Sequence, residues 1–304
     1  MRETDVNESV SLSDLQPQHP YFVGIDSDGC AFPSMEVKHK ECFIPEIVRH
    51  FGLQPISKYA REAAEFVNLY SQMRGANRFP ALMKVMDLLA ERPEVQRSPV
   101  TVPRLPALRA WAESAPSLAN PELMDAVRDS NDPELRQVLD WSNAVNSSIA
   151  RMVQGVPPFP GVETILSELQ ERADVIVVSA TPSEALRREW AEHRLDGYVR
   201  AIAGQEVGSK SEMLQQAAGG RYADGHVLMV GDAPGDWRAA RTIGALFFPI
   251  APGREEESWR QLQEEGLRRF FDGSFAGAYE DALLGQFQAI LPEQPPWAAP
   301  QRGG

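Results

Sequence analysis

Three short runs of apolar residues constrain the fold of this 304-residue chain more than any other feature. They occupy residues 21–25, 175–178 and 227–230. Runs this short, rich in β-branched residues, are typical of strands buried on both faces in parallel sheets that helices cover. Weaker candidates occupy residues 199–203 and 245–250. The sequence therefore predicts an α/β fold with a Rossmann-like parallel sheet, whose ligands bind beyond the carboxyl ends of the strands.

Composition and charge exclude several classes of function. The chain has 43 acidic and 30 basic residues, a net charge of −13, which opposes binding to nucleic acid or to an anionic membrane. Its two cysteines, Cys30 and Cys42, have no metal-binding spacing and are compatible with a reducing compartment. No apolar run approaches the length of a membrane span, and the N-terminus lacks the pattern of a secretory signal. We expect a cytoplasmic protein, and its oligomeric state stays open.

A long insertion interrupts the predicted sheet. Residues 34–154 show apolar residues at helical spacing and no strand pattern. Residues 292–304 are rich in Pro and Gly and are expected to be disordered. The predicted organisation is a flexible tail (1–19), an α/β core (20–33 and 155–250), a helical cap (34–154) and a C-terminal helical extension and tail (251–304).

Two carboxylates follow the first apolar run directly, in Asp26-Ser27-Asp28-Gly29. A carboxylate can attack phosphorus as a nucleophile, which divides one displacement into two. A second carboxylate nearby can protonate the leaving oxygen and then activate water. The alternative is a strand that ends in an ordinary Asx turn.

Polar residues also follow the second run, beginning with Ser179 and Ala180. The spacing of Thr181 and Glu184, with Pro182 between them, predicts a capping box at the start of a helix. Free N–H groups at such a helix start, together with the Ser179 hydroxyl, would make an anion site. The alternative is a well-capped helix without a ligand.

Lys210 and two further aspartates complete the polar set. The spacing of Ser209 and Glu212 predicts a second capping box, which places Lys210 in the first turn of a helix. Its charge is unfavourable there unless an anion lies nearby, and the alternative is a solvated lysine. Asp232 and Asp236 follow the third run, and oxygen ligands of this kind suit Mg²⁺. The alternative is a turn aspartate followed by a helix cap.

The order of these motifs along the chain resembles that of the haloacid dehalogenase (HAD) superfamily. The resemblance covers residues 20–33 and 155–250, and the insertion resembles the helical C1-type cap of phosphoglycolate-phosphatase-like and phosphonatase-like members. The resemblance implies that Asp26 is the nucleophile and that Asp28 is the general acid and then the general base. It implies that the phosphoryl group is bound by Ser179, the backbone at Ala180 and Lys210. It also implies that Mg²⁺ is bound by Asp26, the Asp28 carbonyl, Asp232 and Asp236.

The resemblance implies a Mg²⁺-dependent phosphatase that acts on a small phosphorylated metabolite through an aspartyl-phosphate. One alternative is a phosphomutase of the β-phosphoglucomutase type, which uses the same residues. Another is a non-catalytic binding or regulatory protein on the same fold. Dehalogenase and phosphonatase chemistry are disfavoured because neither needs the acid that Asp28 would provide, and no Schiff-base lysine is identifiable in the cap.

Residues of the cap are expected to recognise the rest of the substrate. Arg74, Asn77 and Arg78 flank a predicted turn between two helices, and Lys38 lies just after the first motif. Arginine is suited to carboxylate, phosphate or polyol oxygens. The alternative for Arg74, Asn77 and Arg78 is a solvated loop between two helices. The alternative for Lys38 is a solvated basic cluster with His39 and Lys40.

Overall fold

The computed structural model describes residues 11–298, in which a five-stranded parallel sheet has the order β3-β2-β1-β4-β5. The strands are β1 (Tyr21–Ile25), β2 (Ala173–Val178), β3 (Ala201–Ala203), β4 (Val227–Gly231) and β5 (Leu246–Pro249). The predicted α/β fold is confirmed, and each of the apolar runs, the weaker ones included, overlaps one of these strands.

The helices, in chain order, are α1 (Ser34–Val37), α2 (Ile44–His50), α3 (Ser57–Leu69), α4 (Arg78–Glu91), α5 (Pro93–Gln96), α6 (Pro106–Ser114), α7 (Asn120–Ser130), α8 (Pro133–Met152), α9 (Val162–Gln170), α10 (Ser183–Glu192), α11 (Lys210–Ala218), α12 (Pro234–Thr242), α13 (Glu255–Gln261), α14 (Leu267–Asp272) and α15 (Ala278–Ile290). Two π-helical segments, Lys38–Phe43 and Leu262–Gly266, connect α1 to α2 and α13 to α14. In the described part of the chain, none of these helices is long and apolar enough to cross a membrane.

Strand β1 lies at the centre of the sheet. Val23 pairs with Val175 of β2 on one side and with Leu228 of β4 on the other. All three side chains are buried, as expected for strands covered on both faces. The chain adds β2 and β3 on one side of β1 and then β4 and β5 on the other. This change of direction makes a switch point at the carboxyl ends of β1 and β4, where such sheets bind ligands.

The chain divides into two compact units, each with its own apolar core. The first consists of the residues up to Phe32, Pro157–Asp232 and Asp236–Gly285, and it contains the sheet. The second consists of Pro33–Val156, Ala233–Gly235 and the residues from Gln286 onward. In the core of this helical unit the ring of Phe79 packs edge-on against Trp111, with centroids 5.2 Å apart.

The described part of the predicted N-terminal tail, residues 11–19, is bound to the sheet unit. The guanidinium group of Arg221 donates to the carbonyl oxygens of Leu15 at 2.6 Å and Ser13 at 2.5 Å. The carboxylate of Asp174 accepts from the backbone N–H of Gln18 at 2.9 Å. Charged side chains far along the chain therefore satisfy backbone groups of these residues, and the flexibility of the predicted tail stays a prediction.

The start of the predicted C-terminal tail also has contacts with the helical unit. The ring of Trp297 packs edge-on against Phe66 at 5.7 Å, and the guanidinium of Arg92 lies over it at 4.6 Å. Pro292 accepts a hydrogen bond from the backbone N–H of Gln72. The remainder of both predicted tails, residues 1–10 and 299–304, lies outside the described residues.

Candidate functional site

Polar residues from three neighbouring strands meet at the carboxyl edge of the sheet. Asp26 follows β1, Ser179 follows β2 and Asp232 follows β4. All three are buried. The parallel direction of the strands brings these ends to one edge, beside the switch point. Residues far apart in sequence therefore lie close together without any special loop geometry.

Asp26 is a buried carboxylate that is held at both oxygens. Its Oδ1 accepts from the backbone N–H of Ser27 at 2.8 Å, and its Oδ2 lies 2.7 Å from Nζ of Lys210. Burial raises the pKa of Asp26 well above its ordinary value; Lys210 opposes this shift, whereas the charges of Asp236 and Asp232 add to it. Positive charge beside Asp26 therefore decides whether its side chain is ionised.

Lys210 supplies part of that positive charge. It is the first residue of α11, and the predicted capping box is confirmed, because Ser209 and Glu212 cap each other's backbone N–H. Its Nζ lies 2.5 Å from Oδ1 of Asp236 as well as close to Asp26. Burial lowers the pKa of Lys210, but the two carboxylates outweigh burial and raise it above its ordinary value. Lys210 is thus a fixed cation.

Three buried carboxylates form a group that is suited to a divalent cation. Asp26, Asp232 and Asp236 each offer one oxygen atom, and these atoms lie within 4.8 Å of one another. If all three were ionised, the Lys210 ammonium would balance one of the charges and leave two negative charges in a buried place. Oxygen donors with this charge fit Mg²⁺, which binds through a few carboxylates and keeps its other positions for water or substrate oxygens.

Gly231 allows this close approach. A Cβ atom at position 231 would lie 2.5 Å from both Cβ and Oδ2 of Asp236. No side chain fits into that space. The end of β4 and the first turn of α12 can therefore bring Asp232 and Asp236 into one group only because residue 231 is glycine.

The hydroxyl-bearing loop after β2 lies beside Asp28. Ser179 is buried, and its Oγ accepts from the backbone N–H of Thr181 at 3.3 Å. Oγ1 of Thr181 donates to Oδ2 of Asp28 at 2.5 Å. Ala180, between the two hydroxyl residues, is exposed. This loop therefore brings the Ser179 hydroxyl and the backbone at Ala180 to the same edge of the sheet as Asp28, whose carboxyl group accepts from Thr181.

The predicted capping box at Thr181 is wrong. Helix α10 begins at Ser183, and no side chain caps it from the N-cap position. The hydroxyl of Thr181 is committed to Asp28, and the N–H of Ser183 is satisfied by the Glu206 carboxylate at 2.9 Å. The local pattern identified a helix start, but the hydroxyl of Thr181 binds a carboxylate from the segment after β1 instead.

Sequence reasoning also missed the part played by Ser27. Its Oγ accepts from Nε1 of Trp190 at 3.0 Å and donates to Oε2 of Glu189 at 3.3 Å. These bonds anchor the segment between the two aspartates to α10. The only signal in the sequence is the position of Ser27 between Asp26 and Asp28, and it does not reveal the partner.

Two of the predicted specificity residues have structural contacts within the helical unit. Arg74 is buried and donates to the carbonyl of Leu69 at 2.9 Å. Asn77 caps α4 by accepting from the N–H of Phe79 at 3.0 Å, and it also donates to the carbonyl of Leu118. These contacts hold the turn between α3 and α4 together.

Arg78 and Lys38 belong to the same unit. Nη1 of Arg78 lies 2.8 Å from Oγ of Ser142 and 2.8 Å from Oδ1 of Asn146. Burial lowers the pKa of Arg78 to about 10. Lys38 is buried at the start of the π-helical segment. A part in specificity stays a prediction for all four residues.

Comparison with known proteins points to one family. Residues 107–250 match the family of haloacid dehalogenase-like hydrolases. The matched range includes Ser179, Lys210, Asp232 and Asp236, while Asp26 and Asp28 precede it. None of the curated proteins matches the chain significantly in sequence.

Solved structures are similar at low identity. A predicted phosphatase from Clostridium acetobutylicum is 13% identical, with 76% of this chain and 85% of that one covered and a TM-score of 0.41. A predicted phosphoglycolate phosphatase from Haemophilus somnus is 12% identical, with 75% and 84% covered and a TM-score of 0.42. L-2-haloacid dehalogenase from Xanthobacter autotrophicus is 14% identical, with 90% and 89% covered and a TM-score of 0.39.

The family match and the order of the strands agree with the order of the motifs along the chain. The parallel sheet presents its polar residues at the edge where the motifs predict them. The match agrees with the resemblance that the motifs indicate: residues 107–250 are similar to haloacid dehalogenase-like hydrolases, and the chain contains a five-stranded parallel sheet.

Proposed function

We propose that this protein is a Mg²⁺-dependent phosphatase that hydrolyses a small phosphorylated metabolite through an aspartyl-phosphate on Asp26. One observation carries the proposal. The buried Asp26 carboxylate lies at the switch point of the sheet, paired at 2.7 Å with Lys210, within a group of three carboxylates. Nucleophile, fixed cation and cation-binding oxygens are the parts that phosphoryl transfer needs.

The first half of the reaction transfers the phosphoryl group to the protein. An oxygen of Asp26 forms a bond to phosphorus while the bond from phosphorus to the leaving oxygen breaks. Asp28 gives its proton to that oxygen, which departs as an alcohol. Asp28 is half-buried beside the loop after β2, so its side chain remains accessible to a substrate.

The second half regenerates the carboxylate. Asp28, now ionised, takes a proton from water, and the water oxygen attacks phosphorus. The bond between phosphorus and Asp26 breaks, and inorganic phosphate leaves. Asp28 ends the cycle protonated again, so protons balance over the two halves.

Charge neutralisation falls to several groups of this chain. The Ser179 hydroxyl and the backbone N–H at Ala180 bind phosphoryl oxygens, and Lys210 offsets negative charge on the phosphoryl group and on Asp26. Asp26, Asp232 and Asp236 would hold the Mg²⁺, with the Asp28 carbonyl as a further ligand. The cation supplies the remaining positive charge that draws a dianionic phosphate into an acidic site.

The substrate is small in this proposal, and recognition of its non-reacting part is assigned to the helical unit. The strongly acidic chain has no general attraction for polyanions, so specific cations must recognise an anionic metabolite. Lys38, Arg74, Asn77 and Arg78 remain the candidates for this role.

Release of inorganic phosphate from a panel of sugar phosphates, phosphoglycolate and nucleotides tests the proposal. We expect release that requires Mg²⁺, stops with EDTA, and is abolished in Asp26→Asn while the variant stays folded by circular dichroism. Asp224→Asn is the control, since it removes the same charge from an exposed turn before β4. Absence of release by the wild type would contradict a phosphatase, and return of the phosphoryl group to a second hydroxyl would identify a mutase.

A further inference from the structure

The hydroxyl of Thr181 is directed at the acid group of the site. Its Oγ1 donates to Oδ2 of Asp28 at 2.5 Å, across 153 positions of sequence. The residue has the local pattern of a helix cap, yet it does not cap α10. The local sequence favours a helix cap for this hydroxyl, but the hydroxyl binds the carboxyl group of the proposed acid instead. This contact indicates a functional role for Thr181.

The backbone at Thr181 is fixed from two sides. Its carbonyl oxygen accepts from the N–H of Gln205 at 3.1 Å, and its own N–H donates to Oγ of Ser179 at 3.3 Å. The first bond ties the loop after β2 to the loop after β3. Two hydrogen bonds therefore hold the main chain that carries the Thr181 hydroxyl.

Ser183 strengthens the same junction. Its Oγ accepts from the N–H of Gly204 at 3.1 Å and donates to Oε2 of Glu206 at 2.7 Å. A Cβ atom at position 204 would lie 2.5 Å from the Thr181 carbonyl oxygen, so the two loops pack at the closest distance that glycine allows. This junction gives the Thr181 side chain a support that is independent of Asp28.

We propose that Thr181 is a positioning residue, which holds the Asp28 carboxyl group in the orientation from which it gives its proton to the leaving oxygen. The inference rests on the proposed phosphatase function. A hydroxyl both donates and accepts, so the same contact persists when the carboxyl group gains or loses its proton. Misplaced acid groups contribute little to the rate, so a contact that orients the Asp28 carboxyl group favours proton transfer.

A pair of probes separates positioning of the acid from general damage. Phenyl phosphate releases the more basic oxygen and needs a proton donor, whereas 4-nitrophenyl phosphate releases a stable anion and needs little help. The ratio kcat/KM reports the steps up to the first irreversible one, and therefore transfer to Asp26, so the later attack of water does not affect the comparison. General acid catalysis contributes about 100- to 10,000-fold, and Thr181 would account for part of that factor.

Thr181→Val keeps the branched shape and removes the hydroxyl. We expect it to lower kcat/KM for phenyl phosphate about tenfold and to leave the value for 4-nitrophenyl phosphate nearly unchanged. Thr181→Ser keeps the hydroxyl and should restore the phenyl phosphate rate. Thr242→Val is the matched control, because Thr242 is exposed and its hydroxyl donates to the Arg238 carbonyl within α12.

The outcomes that overturn the inference differ from those that overturn the phosphatase. Equal losses on both probes in Thr181→Val, or no loss on phenyl phosphate, would reject a positioning role while leaving an active wild type. A wild type that releases phosphate from neither probe with Mg²⁺ would reject the proposed function and the inference with it. Thr181→Ala serves if the valine variant does not fold, with the same expected selectivity.

Discussion

Nζ of Lys210 and Oδ2 of Asp26 lie 2.7 Å apart, and their side chains are only 17% and 7% exposed. Lys210 reaches this place because a confirmed capping box starts α11 at that residue. Removing one partner of a buried pair leaves an uncompensated charge, which is far more costly than losing a surface ion pair. The pair therefore links the stability of the sheet unit to the state of its proposed nucleophile.

Lys210→Met should reduce both activity and stability. We expect turnover to fall about 100-fold or more, as when a group that stabilises transition-state charge is removed. The free energy of unfolding without metal should fall by about 3 kcal/mol, because Asp26 and Asp236 lose their shared cation. Urea denaturation and phosphate release would measure these effects. Lys58→Met is the control, since Lys58 is exposed on α3, and equal behaviour of the two variants would contradict the prediction.

Asp232→Asn should weaken the binding of divalent cations. The wholly buried Asp232 is one of only three carboxylates in the proposed cation site, and an amide keeps the shape but loses the charge. We expect affinity for Mg²⁺ to fall at least tenfold, equivalent to about 1.4 kcal/mol. Isothermal titration with Mg²⁺ or Mn²⁺ needs no turnover. Asp224→Asn should bind as the wild type does, and unchanged affinity in Asp232→Asn would remove this residue from the site.

Gly204→Ala should disturb the junction between the loops after β2 and β3. The new Cβ would meet the Thr181 carbonyl oxygen at 2.5 Å and the backbone nitrogen of Ser183. Overpacking of this kind costs about 1–3 kcal/mol in the free energy of unfolding. Gly197→Ala is the matched control, because a Cβ there meets nothing within 4 Å. Similar denaturation midpoints for the two variants would contradict the prediction, because they would show that the two loops can move apart to accommodate the new Cβ atom.

The contact between Asp174 and the N-terminal segment should depend on pH. Burial raises the pKa of Asp174, but hydrogen bonds from Tyr222 and from the backbone of Gln18 and His19 outweigh burial and lower it. A carboxyl group with a lowered folded-state pKa stabilises the fold above its unfolded pKa of about 3.9 and loses that contribution as pH falls through its folded pKa.

Asp174→Asn tests this expectation. The substitution should reduce the free energy of unfolding by about 1–3 kcal/mol at neutral pH, because several donors lose a charged acceptor. It should also flatten the decline in stability towards acid pH. Denaturant titrations at a series of pH values would reveal both effects, and Asp196→Asn, at an exposed position, is the control. Parallel pH profiles for wild type and Asp174→Asn would exclude the proposed contribution.

The strands were predictable because each buried strand carries its signal in its own residues. The apolar runs predict β1 and β4 within one residue, and the polar residues that follow them determine which edge carries Asp26 and Asp232. Lys210 was placed by a cap that is complete within four consecutive residues. A lysine charge is unfavourable in the first turn of a helix unless an anion lies nearby. The structure has such an anion, because Lys210 lies beside Asp26.

Partners that are distant in sequence could not be predicted in this way. The sequence around Thr181 does not reveal that Asp28 accepts its hydrogen bond. The sequence of residues 11–19 does not reveal that the Arg221 guanidinium donates to their carbonyl oxygens. A hydrogen bond is chosen by which donor and acceptor the packed chain places within about 3 Å of each other. The sequence by itself determined the sheet, the edge that carries Asp26 and Asp232, and the residue types there, because periodicity and capping are local. The tertiary structure alone decided which hydroxyl holds which carboxyl group, since that choice depends on the position of every packed element.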